Sequence, residues 1–330
     1  MDQQGVRPVG RPESETKTGK VFLSLFNELN RVIVGQDNVL EDILIALFSS
    51  GHVLLEGVPG TAKTLMIKTL SNIIAGRFER IQFTPDMMPS DVVGTHVYDM
   101  KTSEFYLKKG PIFTNLLLAD EINRTSPKTQ SALLEAMEEF QVTIEGERLP
   151  LSDLFVVFAT QNPIEFEGTY PLPEAQMDRF MFKILVDYPV REQELQILKA
   201  YHNGFDPRHL EKIPFNKINY QDFLKEVREE IRKTAVREEI FDYIVKIGEQ
   251  TRKNGNVSLG VSPRGIVALL LASKTRAVVR GRNYVIPDDV KESAYPVFRH
   301  RLILRPEAEI EGISPDEIIR EILARVEVPR

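Results

Sequence analysis

A chain of 330 residues, 42% apolar and 27% charged, is long enough for about two domains and lacks the composition of a disordered protein. The absence of cysteine excludes disulfides, thiolate metal sites and cysteine nucleophiles, and the five histidines stand at no ligand spacing, which argues against a histidine metal centre. A net charge of −6 argues against a surface devoted to nucleic acid, without excluding a local basic channel.

The opening Met1-Asp2-Gln3-Gln4 lacks the basic-then-apolar pattern of a signal peptide. No apolar run approaches the roughly 20 residues of a membrane span, so a cytoplasmic protein is expected. Residues 1–20, rich in Gly, Pro, charge and hydroxyls, read as a mobile tail, and an amphipathic helix opens at Val21-Phe22-Leu23. Over residues 21–188 short apolar strands alternate with helical periods. Strands are expected at Val53-Leu54-Leu55, Arg80 to Phe83, Leu116 to Ala119, Phe155 to Ala159 and Phe182 to Val186. Helices are expected over Leu65 to Ile74 and after Ser126-Pro127, where serine caps and proline takes the first turn. A hairpin is expected around Glu145-Gly146, and two short alternating runs within an insert near residues 84–109, Thr95 to Tyr98 and Phe105 to Leu107, are consistent with a surface hairpin. This alternation predicts an α/β domain with a parallel, doubly wound sheet. From 189 to 330 helical periods dominate, with caps at Ser262-Pro263 and Ser314-Pro315, and a small all-helical domain is expected.

The sharpest local feature is Gly57-Val58-Pro59-Gly60-Thr61-Ala62-Lys63-Thr64, between a strand and a helix. Backbone amides of such a loop and the helix N-terminus at Lys63-Thr64-Leu65 can cradle phosphates; Lys63 would reach the β- and γ-phosphates and the Thr64 hydroxyl would ligate Mg²⁺. The general pattern has glycine before the lysine; Ala62 is the smallest replacement and fits a loop whose φ is negative there. A Gly/Pro-rich turn is the plain alternative. The buried strand Leu116 to Ala119 ends in Asp120-Glu121, where a carboxylate can hold the Mg²⁺ shell and a second can polarise water. After the next strand comes Thr160-Gln161-Asn162-Pro163; its amide can orient the attacking water, although Asn-Pro alone is a common turn.

Together these features resemble an AAA+ ATPase, and more closely the MoxR family. The resemblance rests on Val34-Gly35-Gln36, Gly57 to Thr64, Gln82 to Asp91, Gly110-Pro111, Ala119 to Arg124, Lys128 to Met137, Ala159 to Pro163, Gly168 to Phe180 and Ser262-Pro263-Arg264. MoxR-type loops commonly carry Ala at position 62. The resemblance implies a P-loop core with a helical lid, ATP and Mg²⁺ as ligands, and Val34-Gly35-Gln36 at the adenine. It implies Asn162 as the γ-phosphate sensor, Arg179 as the finger completing a neighbouring subunit's site, and Arg264 as the second sensor in the lid. Arg124 is a further candidate for contact across an interface. The insert resembles one that faces the ring pore or a partner in this branch. The implied activity is ATP hydrolysis in a ring, a hexamer, that remodels or activates a protein client with a von Willebrand factor A domain partner. The alternative is a nucleic-acid or chelatase-type motor, for which Lys274, Arg276, Arg280 and Arg282 form a basic cluster that either touches phosphates or is a solvated lid face. An ATP-binding scaffold with little turnover is disfavoured by Glu121, Asn162 and Arg179 occurring together.

Overall fold

The computed structural model describes residues 16–162 and 168–329. Residues 1–15 of the expected tail lie outside the described residues, but its last five do not. Helix α1 (Lys17–Asn30) already includes four of them. Thr16 caps it by accepting from the Gly19 amide (3.0 Å), and Glu230 accepts from both the amide (2.8 Å) and hydroxyl (2.5 Å) of Thr18. Long-range bonds thus order residues whose composition alone predicts none.

Helix α2 (Asp37–Phe48) leads into β1 (Val53–Glu56), followed by α3 (Lys63–Ile73), β2 (Phe78–Gln82), α4 (Pro89–Val93), and a hairpin of β3 (Gly94–Asp99) and β4 (Glu104–Lys109). Next come β5 (Leu116–Asp120), a 3-10 turn (Ile122–Arg124), α5 (Pro127–Glu139), the hairpin β6 (Gln141–Ile144) and β7 (Glu147–Pro150), β8 (Val156–Gln161), α6 (Glu174–Met177) and β9 (Phe182–Leu185). Among the described residues the main sheet has five strands, all parallel, in the order β2-β5-β8-β1-β9.

Strand periodicity sorts this sheet's apolar residues into two layers. Val53, Leu55, Leu116, Leu118, Val156, Phe158, Phe182 and Ile184 face α1, α2, α3 and the C-terminal helices in one core. Leu54, Ile81, Leu117, Ala119, Val157 and Ala159 face α5 and Phe83, Phe155 and Phe180 in the other. Both faces are covered, which is why these strands read as unbroken apolar runs. The β3–β4 hairpin projects from this body, with Met100 88% and Phe105 72% exposed. Its base requires glycine: a Cβ on Gly94 would lie 2.4 Å from the Lys108 carbonyl oxygen, and one on Gly110 would lie 2.3 Å from that of Val92.

Helices α7 (Arg191–His202), α8 (Tyr220–Lys233) and α9 (Glu238–Lys253) open the C-terminal region. A strand β10 (Val257–Leu259), α10 (Pro263–Val279), α11 (Pro287–Phe298), a strand β11 (Ile303–Leu304), α12 (Pro306–Ile310) and α13 (Pro315–Arg325) complete it. Ser262 and Ser314 cap α10 and α13 by accepting from the amides three residues on. The region is a helical lid with one addition: β10 and β11 pair as a short antiparallel ribbon. Its apolar residues belong to the same continuous core as one face of the sheet. No helix among the described residues is long and apolar enough to cross a membrane.

Candidate active site

Strand β1 is fully buried up to Leu55, and the chain turns at Gly57, where a Cβ would lie 2.3 Å from the Val186 carbonyl oxygen. Gly60 follows at φ 85° with open space around it. Ala62 has φ 64° and ψ 17°, the left-handed region, so the expected negative φ is corrected. Such a conformation costs an L-residue about 1–2 kcal/mol. The surrounding loop enforces it: the Lys63 ammonium donates to the carbonyls of Gly57 (2.8 Å) and Val58 (2.7 Å), and the Thr61 hydroxyl donates to Val58 (3.0 Å). The first bond of the α3 ladder runs from the Met66 amide to the Ala62 carbonyl (2.9 Å), so the amides of Lys63, Thr64 and Leu65 precede the ladder at the helix mouth. Burial lowers the pKa of Lys63, against the pull of Asp120 and Glu121.

Gln36 donates through Nε2 to the Asp187 carbonyl (2.9 Å). Gly35 has φ 78°, and a Cβ there would lie 2.3 Å from the Gln193 side chain. Val34-Gly35-Gln36 and the P-loop therefore both pack on the segment that leaves β9, which places them side by side.

Two strands away, β5 delivers Asp120 and Glu121 to the same C-terminal edge. Asp120 accepts from the Thr160 hydroxyl and from Arg80 Nη2 (2.6 Å). Glu121 sits at φ 56° and ψ 49°, with its amide donating to the Thr160 hydroxyl oxygen (2.9 Å). Its carboxylate accepts from Gln82 Nε2 (2.8 Å) and pairs with Arg124 Nε (3.0 Å). Arg124 thus engages its own chain's glutamate. Arg80, Gln82 and Thr160 were not among the expected site residues. The signal for Gln82 is register: it lies opposite Asp120 on the parallel neighbour β2, with Arg80 two residues before it on the same face. Asn162 stands just past the end of β8, whose Gln161 is paired with Glu56 at the end of β1. Pro163 lies outside the described residues.

The donor set fits a Mg-nucleotide: an ammonium, a hydroxyl and three leading amides at a helix mouth, faced by two carboxylates, with a glycine at the tightest point of the loop.

Arg179 and Arg264 lie elsewhere. Both pair with Glu138, Arg179 Nη2 at 2.9 Å and Arg264 Nη1 at 3.1 Å. Glu138 follows Met137, whose carbonyl accepts from His52 Nε2 (3.0 Å), while His52 Nδ1 accepts from the Val157 amide (3.0 Å). His52 immediately precedes β1, so Glu138 marks the N-terminal edge of the sheet. The four residues of β1, about 13 Å at ~3.3 Å per residue, separate that edge from the P-loop. Arg264, the expected second sensor in the lid, stands with Arg179 at this edge, on the shared partner Glu138.

The basic cluster is also resolved. Arg276, 5% exposed in its side chain, pairs with Glu41 (2.8 Å) and Asp42 (2.7 Å). Arg280 pairs with Glu292 (2.5 Å), Arg282 with Asp289 (2.6 Å), and Lys274 donates to the Arg232 carbonyl (2.8 Å). Arg276, Arg280 and Arg282 tie α2, α10 and α11 together and Lys274 ties α10 to α8, so the charges of the cluster are engaged within the fold. Burial raises the Asp42 pKa, and Arg276 opposes it.

Comparison with known proteins agrees with this architecture. The family model "ATPase family associated with various cellular activities (AAA)" matches residues 52–182, and an "AAA lid domain" model matches residues 249–322. The chain is 49% identical to the uncharacterized protein YeaC of Bacillus subtilis, over 91% of this chain and 92% of that one. It is 46% identical to the chaperone MoxR1 of Mycobacterium tuberculosis, over 92% and 81% respectively. A crystal structure of a protein from Cytophaga hutchinsonii assigned as an ATPase superposes with a TM-score of 0.86 at 41% identity, covering 95% of this chain and 96% of that one.

Proposed function

Because the chain belongs to the MoxR family of AAA+ ATPases, we propose that it hydrolyses ATP in a ring, a hexamer, and uses the cycle to remodel or activate a protein client. The observation that carries this reading is the separation of the two edges. A site with P-loop, carboxylates and Asn162 at one edge, and arginines about one strand length away at the other, is complete only when a second copy brings its arginines across.

In this reading the Lys63 ammonium and the amides of Lys63, Thr64 and Leu65 hold the phosphates, and Val34-Gly35-Gln36 holds the adenine. Thr64 and Asp120 would hold Mg²⁺, which when bound neutralises phosphate charge. Glu121 takes the proton of the attacking water, with Gln82 and Arg124 setting its carboxylate. Asn162 orients that water, and Arg179 and Arg264 of a neighbouring copy stabilise charge on the transferred phosphoryl. A von Willebrand factor A domain protein is the partner class the family suggests.

The test is ATPase activity as a function of protein concentration, in the wild type and in Glu121→Gln. Specific activity is expected to rise with concentration as subunits assemble. Glu121→Gln is expected to lose about 10²-fold or more while still binding ATP. Full activity in a monomer, or an unaffected Glu121→Gln variant, refutes the proposal.

A further inference from the structure

The two distant arginines stand on a buried scaffold that the proposed reaction leaves without a role. Arg301 is 3% exposed in its side chain. Its Nε donates to Asp178 Oδ1 (2.5 Å), its Nη2 to the carbonyls of Asp178 (3.0 Å) and Phe180 (2.7 Å), and its Nη1 to those of Met181 (3.1 Å) and Val297. The backbone bonds to Asp178 and Phe180 flank Arg179, so the segment beneath that arginine is pinned on both sides. His300, the preceding residue, adds a bond from Nε2 to the Phe180 carbonyl (2.9 Å).

The same scaffold reaches Arg264. The second oxygen of Asp178 accepts from the Ser262 hydroxyl (2.9 Å), and Ser262 is the N-cap of α10, two residues before Arg264. The stem of Arg301 also packs on this helix end: a Cβ on Gly265 would lie 2.7 Å from Arg301 Cδ. One guanidinium therefore fixes the backbone under Arg179 and the helix mouth under Arg264, and Glu138 bridges the two tips. A buried cation is expensive, and an apolar side chain would fill the same space; what only the guanidinium supplies is a fixed fork of donors aimed at several carbonyls at once.

We propose that Arg301 is a positioning residue which, with Asp178 and Ser262, presents Arg179 and Arg264 as one preset pair to the nucleotide bound by a second copy of the chain. This rests on the reading that the arginines act across a subunit boundary. Its benefit is preorganisation: small displacements of a group that stabilises charge cost large factors in rate.

The experiment is subunit mixing. Arg301→Lys keeps its own P-loop and Glu121 and is expected to lose at least about tenfold in kcat with nucleotide affinity unchanged. Glu121→Gln keeps its arginines and lacks the base. Mixed in equal amounts, the two are expected to exceed the sum of their separate activities, because Arg301→Lys sites are then served by intact neighbours. Arg179→Ala mixed with Glu121→Gln is the control; no gain there defeats the cross-subunit reading and this inference with it. A gain in the control but none for a folded Arg301→Lys overturns the inference alone, as does wild-type kcat in Arg301→Lys. Should Arg301→Lys fail to fold, Ser262→Ala removes the tie between Asp178 and α10, together with the N-cap bond from the Gly265 amide. It is expected to show the same loss and the same rescue, and wild-type kcat in it overturns the inference.

Discussion

The two edges of the parallel sheet are built on opposite plans. At the C-terminal edge the chemistry sits on strained turns, with Ala62 at φ 64° and Glu121 at φ 56°. Its polar groups are partly open to solvent and hold one another. At the N-terminal edge Arg179 and Arg264 stand over Arg301, His52 and His300, all buried and bonded to backbone carbonyls or amides. In the proposed cycle, strain falls where a ligand is gripped and rigidity where a group is offered to another molecule.

The largest effect expected is on rate. Arg179→Ala should lower kcat by about 10³-fold, the scale of an arginine finger, which is ~4 kcal/mol of barrier. Nucleotide affinity, measured by direct binding, should be unchanged. A loss of affinity in place of kcat would break the contrast by putting Arg179 in its own chain's site.

A smaller effect concerns acid. Burial lowers His52 from 6.5 to about 4; its bond to the Met137 carbonyl opposes this, and the charge of Arg264 adds to it. The folded state then binds fewer protons than the unfolded chain between these values. Stability present above pH 6.5 is lost as pH falls through that window, by about 3 kcal/mol at 1.36 kcal/mol per unit. His300 is lowered by burial and acts in the same direction. Urea midpoints at pH 7 and pH 5 measure this, and the dependence should flatten in His52→Gln. A midpoint that does not drop on acidification rules out the buried neutral histidine as a source of stability at this edge.

The smallest effect probes the strained edge. Ala62→Gly relieves about 1–2 kcal/mol of left-handed strain but makes the unfolded chain more flexible by about 0.5–1 kcal/mol, leaving a gain of roughly 1 kcal/mol or less. Ala62→Val, branched at Cβ, should be destabilising. If Ala62→Gly lowers the urea midpoint, the loop is not storing strain at that residue.

Much of the nucleotide edge is legible in the sequence because its signals are local. Gly57 to Thr64 is contiguous, and Asp120-Glu121 ends an apolar run whose burial on both faces follows from composition. What is not legible depends on register or on distant partners. Gln82 meets Glu121 only because β2 pairs with β5, and Arg124 meets it across the 3-10 turn that Glu121 opens. Arg276 looks like one of four surface cations until Glu41 and Asp42, more than 230 residues earlier, neutralise it. Arg179 and Arg264 carry family meaning in sequence, but nothing local says that Glu138 joins them. The φ of Ala62 is not legible either, because tolerance for a methyl group does not reveal the backbone angle that the loop demands.

The opening helix has a consequence for how the chain is made. Thr16 donates to the Val278 carbonyl (2.7 Å), a separation of 262 residues, and its helix shares one core with the sheet and the lid. Helix α1 therefore cannot complete its seat until α10 has been synthesised. Closing so long a loop is entropically costly and slow. Until then Phe22, Leu25, Phe26 and Leu29 have only part of the surface they bury against, so α1 keeps an apolar face incompletely covered until the lid is made, and its full seating joins segments 262 residues apart.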